Sequence, residues 1–133
     1  MQYARLKVLI KQELDREGNE VVTMPAELFR QLVARALEAT KVVDDKFYLA
    51  TNPDVAAAVK KGTIESGAVH YYQTGYFEDK LPSKVLVDER FYLSAHQDIA
   101  AAVRAGKIKN VQQHFQSQGY HEGRLPYAEF ALF

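Results

Sequence analysis

Apolar residues recur at three- and four-residue steps over much of this chain, the spacing that lines them along one side of a helix. Near the start, Tyr3, Leu6, Leu9, Ile10 and Leu14 follow it. After Glu17-Gly18-Asn19, a turn or stop signal, Phe29, Leu32, Val33, Ala36 and Leu37 follow it again. Thr23 is placed to cap the second segment, and Pro25 and Glu27 suit a first helical turn. Residues 1–42 therefore read as a helical hairpin. Val21-Val22, with the alternation Leu6-Lys7-Val8, could instead form a short β pair, so residues 3–16 stay open between helix and strand.

From Val43 onward one pattern is written twice, 44 residues apart. Val43-Asp44-Asp45-Lys46-Phe47-Tyr48-Leu49 returns as Val87-Asp88-Glu89-Arg90-Phe91-Tyr92-Leu93. The match runs without a gap through Asp54/Asp98, the alanine runs 56–58 and 100–102, Gly62/Gly106, Ile64/Ile108, His70/His114, Gly75/Gly119, Tyr76/Tyr120, Glu78/Glu122 and Pro82/Pro126. A period of this length marks a repeat architecture. Each copy, 43–86 and 87–133, reads as three short helices. The first starts behind Asp44 or Asp88. The second starts at Asn52-Pro53-Asp54 or His96-Gln97-Asp98 and stops at Gly62 or Gly106. The third is capped by Ser66 or Asn110 and ends at Gly75 or Gly119. Copy two loses the Asn-Pro start, so that helix is expected to be less well capped. The expected fold is all-α, a helical hairpin on two three-helix units that share one hydrophobic interior. The tail residues Phe130, Leu132 and Phe133 are expected to dock on it.

Composition narrows the functional classes. Lys+Arg and Asp+Glu number 17 each, and the three segments carry seven, five and five basic residues against six, six and five acidic ones. With no basic stripe, nucleic acid is not an expected partner, although Lys60, Lys61, Arg104, Lys107 and Lys109 could gather on one face. No apolar run reaches the ~20 residues of a membrane span. The start lacks a signal-peptide pattern, which makes the cytoplasm the default; a secreted form with its leader removed would read the same. There is no cysteine, hence no thiolate chemistry.

The string Tyr-Leu-x-x-Asn-Pro-Asp-Val-Ala-Ala-Ala at 48–58, His70-Tyr71, Gly75-Tyr76-x-Glu78, and in copy two Gly119-Tyr120-His121-Glu122-Gly123-Arg124-Leu125-Pro126 resembles a short bacterial tandem repeat. Such repeats are appended to glycosyltransferases, methyltransferases and large secreted proteins. The resemblance covers about two thirds of the chain. It implies an accessory or docking role in a polysaccharide or envelope setting, and carries no catalytic residue. No catalytic domain is expected within these 133 residues, and copy one has Asp79 and Lys80 where the pattern has Gly and Arg.

Chemically able residues have structural readings beside functional ones. Single histidines, His70 and His114, lack the local spacing of a metal site, and each is expected to hold the third helix of its own unit. Glu78 and Glu122 could be a two-carboxylate pair if brought about 5–9 Å apart, but each lies beside Lys80 or Arg124, which favours a solvated ion pair. Phe47, Phe91, Tyr71 and Phe115 are expected in the core. Tyr72 and Phe77, replaced by Gln116 and His121 in copy two, are expected outside, in a copy-specific contact.

The expected function is non-catalytic. A protein partner would bind through Tyr72, Tyr76, Phe77, Tyr120, His121, Lys80 and Arg124, while Asp54, Asp98, His70, His114, Gly75 and Gly119 are structural positions. No metal or cofactor is implied. A carbohydrate-binding module using Tyr76 and Tyr120, and a small His/Glu enzyme, are the alternatives. Residues 1–42 are expected to cap the repeats or to make a homodimer.

Overall fold

The computed structural model describes residues 3–130. In order, they form helix α1 (Tyr3–Leu9), strands β1 (Lys11–Leu14) and β2 (Glu20–Thr23), and helix α2 (Ala26–Thr40). Then come α3 (Asp45–Thr51), α4 (Pro53–Lys60), α5 (Gly67–Gln73) and a 3₁₀ turn (Gly75–Glu78). A second set follows: α6 (Glu89–Ala95), α7 (Gln97–Arg104), α8 (Val111–His114) and a π turn (Phe115–Gly119). The fold is mainly helical. None of the described helices is long and apolar enough to cross a membrane.

The N-terminal segment departs from the expected helical hairpin. Its first helix stops at Leu9, and an antiparallel β-hairpin pairs Lys11 with Thr23 through to Leu14 with Glu20. The cause lies in the turn. Asp15 Oδ1 accepts from the amides of Glu17 (2.9 Å) and Asn19 (2.8 Å), and Oδ2 accepts from the Asn19 side chain (3.0 Å). Gly18 takes φ +83°, and the Gly18 and Asp15 amides bond to the carbonyls of Asp15 and Asn19. This is a type I turn closed by a glycine bulge, a hairpin device rather than a helix stop. Val21-Val22 therefore is strand, and its mate is Lys11–Leu14 rather than Leu6–Val8. Thr23 ends β2 and caps nothing; α2 starts behind Pro25 without a side-chain cap. Leu28 and Leu37 are the buried residues of α2, while Phe29 and Leu32 of the expected stripe are exposed.

Positions 44 apart make matching contacts in the rest of the chain. Asp44 and Asp88 accept from the amides of Phe47 and Phe91, both at 3.0 Å. Ser66 Oγ caps α5 through the Val69 amide (3.1 Å), and Asn110 caps α8 through that of Gln113 (2.8 Å). Gly62 and Gly106 take φ +75° and +71° behind α4 and α7. The amides of Asp44 and Asp88 donate to the carbonyls of the buried prolines Pro82 and Pro126, both at 3.0 Å, so each stretch closes on itself. Neither α4 nor α7 has a side-chain cap. Buried Asn52 instead donates back to the Tyr48 carbonyl (2.9 Å), so the expected difference between copies is left to Pro53 in the first turn of α4, which α7 lacks.

The hydrophobic interior is two interiors. Tyr48, Val55 and Tyr71 form one cluster with Leu49, Val59 and Tyr76 around it. Tyr92, Ile99, Val111 and Phe115 form another, with Leu93, Val103 and Tyr120 around it. The two buried clusters are separate, so the single shared interior expected from the duplication is not seen among the described residues. Phe130 packs edge-on against Phe115 (6.5 Å between ring centroids), which docks the tail that far; Leu132 and Phe133 lie outside the described residues.

Candidate functional site

At the centre of each unit stands a tyrosine with no exposed surface, Tyr48 or Tyr92. A phenol can be buried completely only if its hydroxyl finds a partner. A hydrogen bond joins the Tyr48 hydroxyl to His70 Nδ1 (2.9 Å), and another joins Tyr92 to His114 Nδ1 (3.2 Å). Gly75 and Gly119 complete the arrangement, because a Cβ at either would overlap that hydroxyl. Neither glycine has a positive φ. Beyond ending a helix, each leaves the space that a buried hydroxyl occupies. Phe47 and Phe91, expected in the core, are only half-buried. The signal for the tyrosines was present: Tyr, His and Gly recur as a set at the same separations in both copies. Burial, and secondarily the Glu78 and Asp54 charges, push the Tyr48 phenol well above its ordinary range.

This geometry engages the histidines within their own units. The partner in each case is a phenol. The glutamates are also engaged locally. Glu78 lies 3.6 Å from Lys80, and Glu122 accepts from Arg124 Nε at 2.6 Å. Arg124 also grips Asp98 through both terminal nitrogens (3.0 and 2.7 Å). These acids hold its guanidinium further above its usual range, and its hydrogen bonds hold the exposed Asp98 carboxyl below the usual carboxylate range. Among the described residues no group of three or more His, Asp and Glu could hold a metal ion.

The expected partner surface is largely covered. Tyr76 is half-buried, edge-on to Tyr71 and Phe77. Tyr120 is half-buried against Phe115. Tyr72 and Phe77 do make a copy-specific contact, but with α2 of the same chain. Arg30 lies 5.4 Å over the Phe77 ring, and Tyr72 lines a groove with Leu28, Leu32, Arg35 and Glu38. Burial, then the Glu38 charge, raises the Tyr72 phenol. Their replacements, half-buried Gln116 and exposed His121, line a crease of about 220 Å³ with Glu78 and Lys80. Tyr71 and Tyr120 line one cleft, and burial raises both phenols.

No family model, curated protein or solved structure matches this chain.

What remains open to a partner lies elsewhere. Val8 is 84% exposed and Leu14 70%, and Leu9, Val21, Val22, Phe29 and Leu32 are also exposed. All eight strand residues of the hairpin are exposed. Scattered surface apolar residues are ordinary, but here seven large ones fall within residues 8–32. The sequence pattern places Leu9, Leu14, Phe29 and Leu32 on helix stripes, with residues 1–42 as a cap or a dimer element; their exposure is seen only in the fold.

Proposed function

We propose that this chain is a non-catalytic interaction module. Stretches 43–86 and 87–133 act as two copies of one small helical unit, and the segment before them presents the face that engages a protein partner. The observation that carries this reading is where unsatisfied chemistry lies. Histidines and glutamates of catalytic type are each tied inside their own unit. Of the ten large hydrophobic residues exposed among the described residues, seven fall between Val8 and Leu32. The bacterial polysaccharide or envelope setting rests on the repeat resemblance alone.

The carbohydrate reading has less support, because sugar stacking needs open aromatic faces and those of Tyr76 and Tyr120 are half-covered. The enzyme reading needs His70, His114, Glu78 and Glu122 in one pocket, and each of the four already serves a local bond. Affinity capture on the immobilised full chain tests the proposal. A protein partner held by the wild type should be lost with Phe29→Ser/Leu32→Ser; capture that survives this change would move the face elsewhere. Titration with a glycan panel, followed by tyrosine fluorescence, should give no saturable response.

A further inference from the structure

The hairpin is short of strands. Two isolated strands are marginal in water, and an uncovered strand edge is a template for another. Here neither face nor edge of β1 is protected: Lys11, Gln12, Glu13 and Leu14 are all exposed. This deepens the reading of the N-terminal segment as an interaction face, and rests on it.

The register of the hairpin determines what the free edge offers. Asp15 and Asn19 form a hydrogen-bonded pair next to the turn. Hydrogen-bonded and non-hydrogen-bonded pairs alternate along an antiparallel ladder. Glu13–Val21 and Lys11–Thr23 are thus the bonded pairs, and the amide and carbonyl groups of Gln12 and Leu14 point outward. A second strand can bond only to those outward groups. If it is β1 of another copy, related by a twofold axis, three registers keep this parity near the strand centre. One sets Lys11 against Lys11, another sets Glu13 against Glu13. The third, centred on Gln12, sets Lys11 against Glu13 twice and Ile10 against Leu14 twice. Like charges directly opposite are unfavourable and opposite charges favourable, so one register is selected. Among the described residues neither Lys11 nor Glu13 has an ion pair within the chain. The outer edge of β2 offers no such match, since its allowed registers set Glu20 against Val22 or Met24.

We propose that two copies of this chain associate through β1, edge to edge and antiparallel about Gln12, to form a four-stranded sheet with reciprocal Lys11–Glu13 pairs. Leu14 and Ile10 of the two copies would then lie side by side on the opposite face from the charges, beside Val22, which pairs with Gln12.

Sedimentation velocity over a concentration series, with amide exchange at Gln12 and Leu14, tests this on the full chain. A dimer is expected, with both amides increasingly protected as concentration rises. Glu13→Lys should weaken it about tenfold, because two attractive pairs become repulsive. Lys11→Glu/Glu13→Lys restores every opposite pair and should restore the dimer. Gln12→Pro removes an outward donor only, and should abolish the dimer while leaving the hairpin's own ladder intact. A monomer at every concentration, or a dimer indifferent to both Glu13→Lys and Gln12→Pro, would overturn the proposal. Loss of partner capture by Phe29→Ser/Leu32→Ser in a monomeric protein would overturn the dimer alone, leaving the interaction face standing.

Discussion

Tyr48 and Tyr92 are the residues on which each unit turns, and their hydroxyls make the adjoining glycines irreplaceable. Gly75→Ala should destabilise by about 2 kcal/mol, the cost of overpacking a filled site. Gly62→Ala meets no neighbour within 4 Å and carries only its backbone cost at φ +75°, about 1 kcal/mol. The two are separable by a cycle. Tyr48→Phe removes the hydroxyl that the new Cβ would strike, so Gly75→Ala/Tyr48→Phe should cost less than the sum of the single changes. Additive denaturation midpoints would show that the hydroxyl is not what excludes the side chain. The duplicated letters made this set visible but not its order of importance, because hydropathy ranks phenylalanine above tyrosine as a core residue. Only the Tyr–His hydrogen bond reverses that ranking. A second test concerns Asp79, which holds φ +53° where the other copy has Gly123 at +69°. Asp79→Gly should raise the stability of the first unit by about 0.5–1 kcal/mol, read as a higher denaturant midpoint; a lower midpoint would mean that the Asp79 carboxylate is needed there.

At the scale of elements, helix starts were legible where a side chain caps, and misread where the backbone does the work. Asp44, Asp88, Ser66 and Asn110 cap as their positions suggested. Thr23 and Asn52 carry the same chemistry at similar positions and do not cap, because one is paired in a strand and the other donates to a preceding carbonyl. The β-hairpin was obscured because its bulge glycine, Gly18, looks the same as a helix stop in sequence. The loop after each third helix differs between copies in a way that acid should expose. Arg124 clips the second loop to the first turn of α7 through Asp98, whereas among the described residues Lys80 pairs with Glu78 alone. The depressed Asp98 carboxyl contributes fully above its unfolded value, about 4, and its contribution is lost as pH falls through the lower folded value. Measured against a free arginine at the same pH, the Arg124 Nη protons that bond to Asp98 should lose protection in that acid range, and Asp98→Asn should remove it at every pH. Nη protons that stay protected in Asp98→Asn would show that Asp98 is not what clips the loop.

The molecule as a whole has two small cores rather than one, and this shapes how it should come apart. A single interior enforces all-or-none unfolding, while units joined mainly at a seam can open one at a time. Here α2 packs on α5 of the first unit, with Arg30 over Phe77 and Leu37 buried. The second unit has Phe130 against Phe115 in its place. The seam itself is a cleft of about 390 Å³ lined by Tyr71, Tyr120, Tyr127 and Phe130, with Val42 and Leu86. Phe115→Ala removes a fully buried ring from the second core and should cost about 3–5 kcal/mol there. If the cores are coupled only across the cleft that Tyr71 and Tyr120 line, amide exchange should accelerate through α6–α8 while the Tyr48 cluster keeps most of its protection. If the protection lost by α3–α5 equals that lost by α6–α8, the two clusters unfold as one, and the seam carries far more of the stability than its open cleft suggests. The first outcome would also fit a scaffold in which one unit is braced by α2 for binding, and the other can loosen without disturbing the face that the N-terminal segment presents.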